Sequence, residues 1–312
     1  MGRMDGALII DKPAGMTSHD VVARVRRITG QRRAGHTGTL DPFATGVLVI
    51  LVGRATRLAQ FLSGAEKEYE ATIRFGYATD TGDVTGAAVD PRIHVAAQRF
   101  SPEEIDAAIR SLRGESEQIP PMYSAKKIGG RKLYELARRG EEVERQPVRI
   151  TVSEFEPLPR DGRLLKQNAD ETVDLEVRVK CSAGTYVRAL AEDLGKQLGV
   201  GAHLAALRRT RAGHLAIRGA ISLEQLAALA PAESISTVLV SLDQVISHLP
   251  AIELASEDAQ RVLNGIDVAA TDPRAPGDLV RLLDTKGELL AVGVFDAARS
   301  SIHPKVVIAE RV

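Results

Sequence analysis

The chain has 312 residues, 44% hydrophobic and 26% charged, which is ordinary globular composition for one large domain or a large plus a small one. Its longest apolar run, Val47 to Val52, is too short to cross a bilayer, and its single cysteine, Cys181, excludes an intramolecular disulfide. The net charge of zero conceals an asymmetry: residues 1–218 carry 34 Lys and Arg against 28 Asp and Glu, whereas residues 219–312 carry 7 against 13.

The N-terminus, MGRMDGALIIDKPAG, sets acids beside a short apolar stretch and offers no small-residue cleavage site, so no signal peptide is read and a cytoplasmic protein is expected. Ala7 to Ile10 reads as a strand. Ser18 then reads as the cap of a helix with Val21, Val22, Val25 and Ile28 on one face and Arg24, Arg26 and Arg27 on the other, a basic ridge continued by Arg32 and Arg33. The turn GHTGTLDP, Gly35 to Pro42, leads into the apolar strand Val47 to Val52. From Lys67 to Gly76, Tyr69, Ala71, Ile73 and Phe75 alternate with polar residues, the period of a half-buried strand.

Ser101-Pro102-Glu103-Glu104 combines an N-cap, a first-turn proline and a capping-box acid, starting a helix that stops at Gly114. Residues 115–147 read as an exposed excursion from the core, carrying the basic cluster Lys126, Lys127, Arg131, Lys132, Arg138 and Arg139. Strands follow at Val148 to Phe155 and Val173 to Cys181, after which GTYVRALAEDLGKQLG turns from strand to helix. Arg208, Arg209 and Arg211 form a third basic cluster, and three clusters in one domain favour RNA or DNA as partner over merely solvated helix faces. A helix from Ser222 to Leu229 precedes a boundary near Pro250, beyond which a short helix and the strands DLVRLLD, ELLAVGVFD and PKVVI suggest a small β-rich module. The succession as a whole indicates an α+β protein with a mainly antiparallel sheet.

Asp41 is the strongest candidate for chemistry. A carboxylate in a tight turn beside a buried strand is disfavoured as an anion unless a cation pairs with it. The two glycines around it, Gly35 and Gly38, would permit close approach to a ligand, although Asp-Pro is also an ordinary turn former. Taken alone, Tyr69 reads as core filler, though its hydroxyl could serve a site. Tyr186 and Arg188 fall on one side if their stretch is extended, and Arg188 could supply the cation that Asp41 requires. Cys181 has no neighbouring histidine to activate it, and the seven histidines lack a zinc-like spacing, so no structural metal site is expected. On these residues alone a non-catalytic RNA-binding protein, and a metal-dependent nuclease or phosphatase using His36, Asp41, Asp80 and Asp83, both remain open.

GHTGTLDPFATGVL, KEY at 67 to 69, IPPMYSAKKIGGRKLYELARRG, CSAGTYVRALAEDLG and LRRTRAG, five motifs in order from Asp11 through Gly213, together resemble the TruB family of bacterial tRNA pseudouridine synthases. The resemblance implies isomerisation of uridine to pseudouridine at position 55 in the tRNA T arm, with base flipping, an aspartate-dependent glycosidic rearrangement and no cofactor. It implies a catalytic domain of the pseudouridine synthase type over 1–245, a thumb insertion at about 117–146, and a PUA-like module over 246–312. By the same resemblance Asp41 is the catalytic aspartate, Tyr69 stacks on the target base, and Arg188 pairs with the aspartate. Tyr186 and Leu207 line the pocket, His36 helps hold the flipped state, and Lys12 with Pro13 supports the active-site loop. Phosphate contacts are expected from Arg24, Arg27, Arg32, Arg33, Lys126, Lys127, Arg131 and Lys132. A monomer with tRNA as its partner, and no obligatory protein partner, is implied. The tail departs from a simple RNA-binding expectation, with seven cations against ten acids in 246–312.

Overall fold

The structure, a computed structural model, describes residues 4–89, 100–124, 126–137, 139–141, 143–229, 232–270 and 274–309. In chain order its elements are β1 (Gly6–Lys12), α1 (Ser18–Thr29), β2 (Ala34–His36), β3 (Thr45–Val52), α2 (Ala59–Leu62), β4 (Lys67–Phe75), α3 (Pro102–Ser111), β5 (Gly114–Gln118), the hairpin β6 (Lys127–Ile128) and β7 (Arg131–Lys132), and α4 (Leu133–Ala137). There follow β8 (Val148–Pro157), β9 (Leu165–Gln167), β10 (Val173–Cys181), α5 (Val187–Gln197), β11 (Ala202–Ala212), β12 (Leu215–Ala216), α6 (Leu223–Ala228), α7 (Ala232–Ile235) and α8 (Leu242–Val245). The tail adds β13 (Ala251–Glu253), α9 (Ser256–Leu263), β14 (Val268–Ala269), β15 (Leu279–Leu283), β16 (Leu289–Asp296) and β17 (Ser301–Val307).

A ten-stranded sheet runs in the order β1-β3-β11-β4-β10-β8-β5, with β2, β9 and β12 joined beside it. Its pairings are antiparallel except β3 with β11, where Arg208 and Arg209 face Thr45 and Gly46. The continuous apolar run in β3 has a physical reason: Leu48, Ile50 and Val52 pack into a core on one face, Val47, Val49 and Leu51 into a second core on the other. β4 alternates buried and half-buried residues throughout, placing Tyr69, Ala71, Ile73 and Phe75 in the first core. Where β3 and β11 run together the backbone is crowded: Gly46 has φ +97, and a Cβ there would stand 2.2 Å from the Arg209 carbonyl oxygen. Only glycine fits. Gly35 and Gly38, by contrast, leave room for a side chain.

The tail strands form a five-stranded sheet, β13-β15-β16-β17-β14, around a third core. Leu289, Val292 and Ile308 of the tail pack in the second core with Leu51, Leu58 and Val245. Arg57 donates to the Val307 carbonyl at 2.6 Å, and Arg281 pairs with Asp243 at 2.6 Å. The tail is thus anchored by a shared apolar cluster and by these two arginines.

The helix before the Asp41 turn begins one residue earlier than expected. Thr17 is its N-cap, in a reciprocal capping box with Asp20, and Ser18 is the first helical residue, buried. α3 starts as expected, with Ser101 and Glu104 capping each other. The stretch 115–147 is not wholly an excursion, since its first residues belong to the edge strand β5, paired with β8. Tyr186 and Arg188 are not on an extended segment: Tyr186 is the N-cap of α5 and Arg188 lies in its first turn.

Candidate active site

A cavity of about 240 Å³ opens between the Asp41 turn, the start of β4, Ser124, residues 182–188 and the Leu207–Arg209 stretch of β11. The turn is clamped from three sides. Ser18 Oγ accepts the Leu40 N–H at 2.9 Å and donates to the Leu40 carbonyl at 3.1 Å. Lys12, fully buried, donates to the carbonyls of Pro13 (2.8 Å), Met16 (2.7 Å) and Pro42 (3.1 Å), and burial lowers its pKa to about 8. Arg209, 2% exposed, donates to the carbonyls of Gly38 (3.0 Å), Thr39 (3.4 Å) and Val47 (2.7 Å). Capped by backbone carbonyls, these two cations fix the loop, and Lys12 also favours the ionised form of Asp41.

Asp41 finds its cation in Arg188. Arg188 Nε lies 3.0 Å from Asp41 Oδ2, with the arginine side chain 4% exposed and the aspartate 32%. The same guanidinium donates to the Thr81 and Tyr123 carbonyls, each at 2.7 Å, and lies 3.5 Å from Asp83 Oδ2. Asp83 is held in turn by the Thr85 N–H at 2.9 Å and the Thr81 hydroxyl at 3.0 Å. Burial pushes the Asp41 carboxyl above the usual carboxylate range; Arg188 opposes the shift, and the like charge of Asp83 adds to it. The result is a carboxylate open to the cavity and buttressed by one shared guanidinium.

Tyr69, 8% exposed, lines the cavity from β4, with Arg209, the residue directly across the strand pair, as a nearby cation. Burial raises its pKa, so the phenol is neutral. Leu207, 7% exposed, and Tyr186 complete the wall. Tyr186 is fixed through its backbone: its N–H donates to Gln118 Oε1 at 2.8 Å, and Gln118 Nε2 donates to its carbonyl at 3.1 Å. His36 stands apart from the lining, at the end of β2 opposite Ile50, and meets His19 edge to face at 5.4 Å between ring centres. Burial and the neighbouring His19 lower the His36 pKa to about 4, which leaves it neutral.

The third basic cluster is paired within the protein. Arg208 pairs with Asp11 at 2.7 Å, Arg211 with Glu66 at 3.1 Å, and Arg209 is spent on carbonyls. Arg24, Arg26, Arg27, Arg32 and Arg33 are exposed, as is Arg131, while Lys126 is half-buried. Arg138 and the side chains of Lys127 and Lys132 lie outside the described residues. Asp83, Arg209, Ser18 and Gln118 are the site residues that the sequence did not single out for these contacts, because each acts on a partner distant in the chain.

Among the described residues no group of three or more His, Cys, Asp or Glu is placed to hold a metal ion. Asp83 is committed to Arg188, and Asp80 Oδ1 accepts the Ala87 N–H at 2.8 Å. Burial pushes the Cys181 thiol up to about 12, far from a nucleophilic thiolate. Among the described residues no helix is long and apolar enough to cross a membrane.

Residues 26–187 match the TruB family pseudouridylate synthase N-terminal domain, and residues 188–250 the tRNA pseudouridylate synthase B C-terminal domain. The chain is 44% identical over 305 residues to tRNA pseudouridine synthase B of Thermobifida fusca, covering 98% of this chain and 99% of that one. To the protein of that name from Geobacillus thermodenitrificans it is 46% identical over 262 residues, covering 84% and 85%. Among solved structures it is similar to a chain of an H/ACA RNP bound to a substrate RNA containing 2'-deoxyuridine (TM-score 0.73, 26% identity, covering 98% of this chain and 86% of that one). A chain of a Cbf5-Nop10-Gar1 complex is similar at TM-score 0.73 and 28% identity, covering 98% and 85%. With two family matches that together span 26–250 and near full-length relatives at this identity, the chain belongs to the TruB family of pseudouridine synthases.

Proposed function

We propose that this enzyme isomerises uridine to pseudouridine in tRNA, at position 55 of the T arm, with Asp41 as its reactive carboxylate. The observation that carries the reading is the Asp41–Arg188 pair at 3.0 Å in a cavity whose wall is Tyr69. The reaction breaks the C1′–N1 bond, turns the uracil, joins C1′ to C5, and matches the proton lost from C5 with one gained at N1. Nothing is oxidised and nothing leaves, so one anionic group and a pocket that retains the loose base are sufficient. A cavity of about 150 Å³ can hold benzene, so one of about 240 Å³ admits a pyrimidine ring. The base must first leave its stack at a cost of a few kcal/mol, which stacking on the Tyr69 ring offsets in part. Arg188 keeps Asp41 ionised, while Lys12, Ser18 and Arg209 hold the loop that presents it.

In this reading 1–245 form the catalytic domain, 117–146 its thumb, and 246–312 a PUA-like module. The RNA backbone would run along the exposed Arg24, Arg27, Arg32 and Arg33 toward the thumb with Lys126, Lys127, Arg131 and Lys132. Lys12 acts through the loop, and His36, neutral and outside the lining, would steady the flipped state from beside the pocket.

The test uses an unmodified T-arm hairpin tritiated at uridine C5, incubated with the protein in excess chelator. Release of tritium with formation of pseudouridine is expected. Intact tritium, or strand cleavage that the chelator abolishes, would overturn the reading in favour of a metal-dependent nuclease.

A further inference from the structure

The buried cations that line the cavity are committed to protein partners, and so are Asp41 and Ser182. Asp41 and Arg188 hold each other, Arg209 holds carbonyls, Lys67 Nζ donates to the Ser63 carbonyl at 2.9 Å, and Ser182 Oγ accepts the Thr151 N–H at 2.9 Å. Ser124 differs. It is 4% exposed, lines the cavity, and its Oγ has no hydrogen-bond partner among the described residues.

Its placement is rigid. The Ser124 N–H donates to the Met122 carbonyl at 3.0 Å, and its carbonyl accepts the Tyr134 N–H at 3.1 Å. The preceding carbonyl, that of Tyr123, accepts the Arg188 Nη2 at 2.7 Å, so the cation that pairs with Asp41 also fixes the peptide that carries this hydroxyl. A buried hydroxyl left unpaired costs about 1–3 kcal/mol. An alanine would spare the fold that cost, so the hydroxyl is explained by something that enters the cavity.

We infer that Ser124 Oγ is a substrate-binding group that hydrogen-bonds the carbonyl edge of the flipped uracil. The inference rests on the proposed function. The chemistry of the base favours its edge over the sugar. Turning uracil about its C6–N3 axis exchanges N1 with C5 and O2 with O4, so the O2–N3–O4 edge presents acceptor, donor, acceptor both before and after the turn. One hydroxyl, able to donate and accept, meets that edge in substrate and in product alike. The Tyr69 ring fixes the plane of the base, and Ser124 fixes its rotation within the plane.

The experiment compares wild type with Ser124→Ala on the tritiated hairpin, alongside thermal melting of both free proteins. The substitution should leave the melting temperature equal or higher and lower kcat/KM about threefold to tenfold. Hairpins with 2-thiouridine or 4-thiouridine at the target, whose sulfur accepts poorly, should narrow that gap on at least one of the two. Equal activity of the two enzymes would overturn the inference, as would a lower melting temperature accounting for the loss, or a gap of one size on all three hairpins. A wild type that forms no pseudouridine would sink the proposed function instead, whatever Ser124→Ala does.

Discussion

Arg188 Nε stands 3.0 Å from Asp41 Oδ2 although the two residues are 147 apart in the chain, and the arginine is itself only 4% exposed. A buried guanidinium supplied by a helix start therefore meets a carboxylate supplied by a loop. Asp41→Asn keeps the size of the side chain and removes its charge. It should abolish pseudouridine formation while affinity for the hairpin falls less than about tenfold, because affinity rests on distributed phosphate contacts. Tritium release by the purified variant would show that Asp41 is not the reactive group.

Removing the arginine leaves two carboxylates, Asp41 and Asp83, without their common cation. Arg188→Met should cut activity severely and destabilise the protein by about 3–5 kcal/mol, the range for breaking a buried pair. The double variant with Asp41→Asn should lose less than the sum of the single losses, since one of the stranded charges is then gone. Denaturant melts of the four proteins give the coupling, and strict additivity would mean that the pair does not form in solution.

Asp83 offers a test by pH. Asp41 must be ionised to act, its pKa is raised by burial, and the like charge of Asp83 raises it further. The acid limb of kcat/KM should therefore lie above the ordinary aspartate range, with activity rising as pH increases through it. Asp83→Asn removes the like charge, so that limb should move to lower pH even as the less firmly held Arg188 reduces the plateau. A limb that stays in place or moves upward would show that the two carboxylates do not share a field.

Arg209 separates internal cations from those that meet phosphate. Arg209→Met would leave the carbonyls of Gly38, Thr39 and Val47 without their donor and remove the cation beside Tyr69. Each buried orphan costs about 1–3 kcal/mol, so a loss of several kcal/mol and a fall in kcat are expected. The dependence of hairpin affinity on salt should stay that of wild type. A flatter dependence for the folded variant would return this arginine to the RNA surface.

The sequence revealed elements wherever a local pattern had a local cause. The alternation of β4 follows from one face lying on a core, and the start of α3 from the reciprocal bonds of Ser101 and Glu104. β11 was not legible, although it carries Leu207 and Arg209: its basic residues look like a surface cluster, and only their distant partners Asp11, Glu66 and the Gly38 carbonyl reveal an interior strand. Ser18 misled by a single position because threonine and serine both cap helices, and Thr17 took that place while Ser18 turned inward to Leu40. Asp41, Tyr69, Arg188, Tyr186 and Leu207 come together around one cavity. Gln118 stayed hidden, and Asp83 was seen only as a metal-ligand candidate, since nothing in their own neighbourhoods points to Tyr186 or to Arg188.

The tail and the thumb make opposite claims on the RNA. Residues 246–312 carry seven cations against ten acids, so their mean field repels phosphate, while the thumb carries Lys126, Lys127, Arg131 and Lys132 close together in sequence. Deleting the tail is a poor test of this, because Leu289, Val292 and Ile308 pack with Leu51 and Leu58 of the main sheet's second core. The deletion would expose apolar surface and report on folding. Substitutions at exposed tail cations avoid that difficulty: Lys286, Arg299 and Lys305 are exposed, and Arg299 already lies near Asp267 and Asp296. Every cation that neutralises a phosphate adds about one to the steepness of log affinity against log salt, and its removal takes that unit away. Changing the three tail cations to glutamine should therefore move the slope by less than about one, and changing the four thumb cations by about two to four. Hairpin binding at several salt concentrations measures both, with circular dichroism to confirm folding. A larger change from the tail variant would place the phosphate backbone on the β-rich module instead of the thumb.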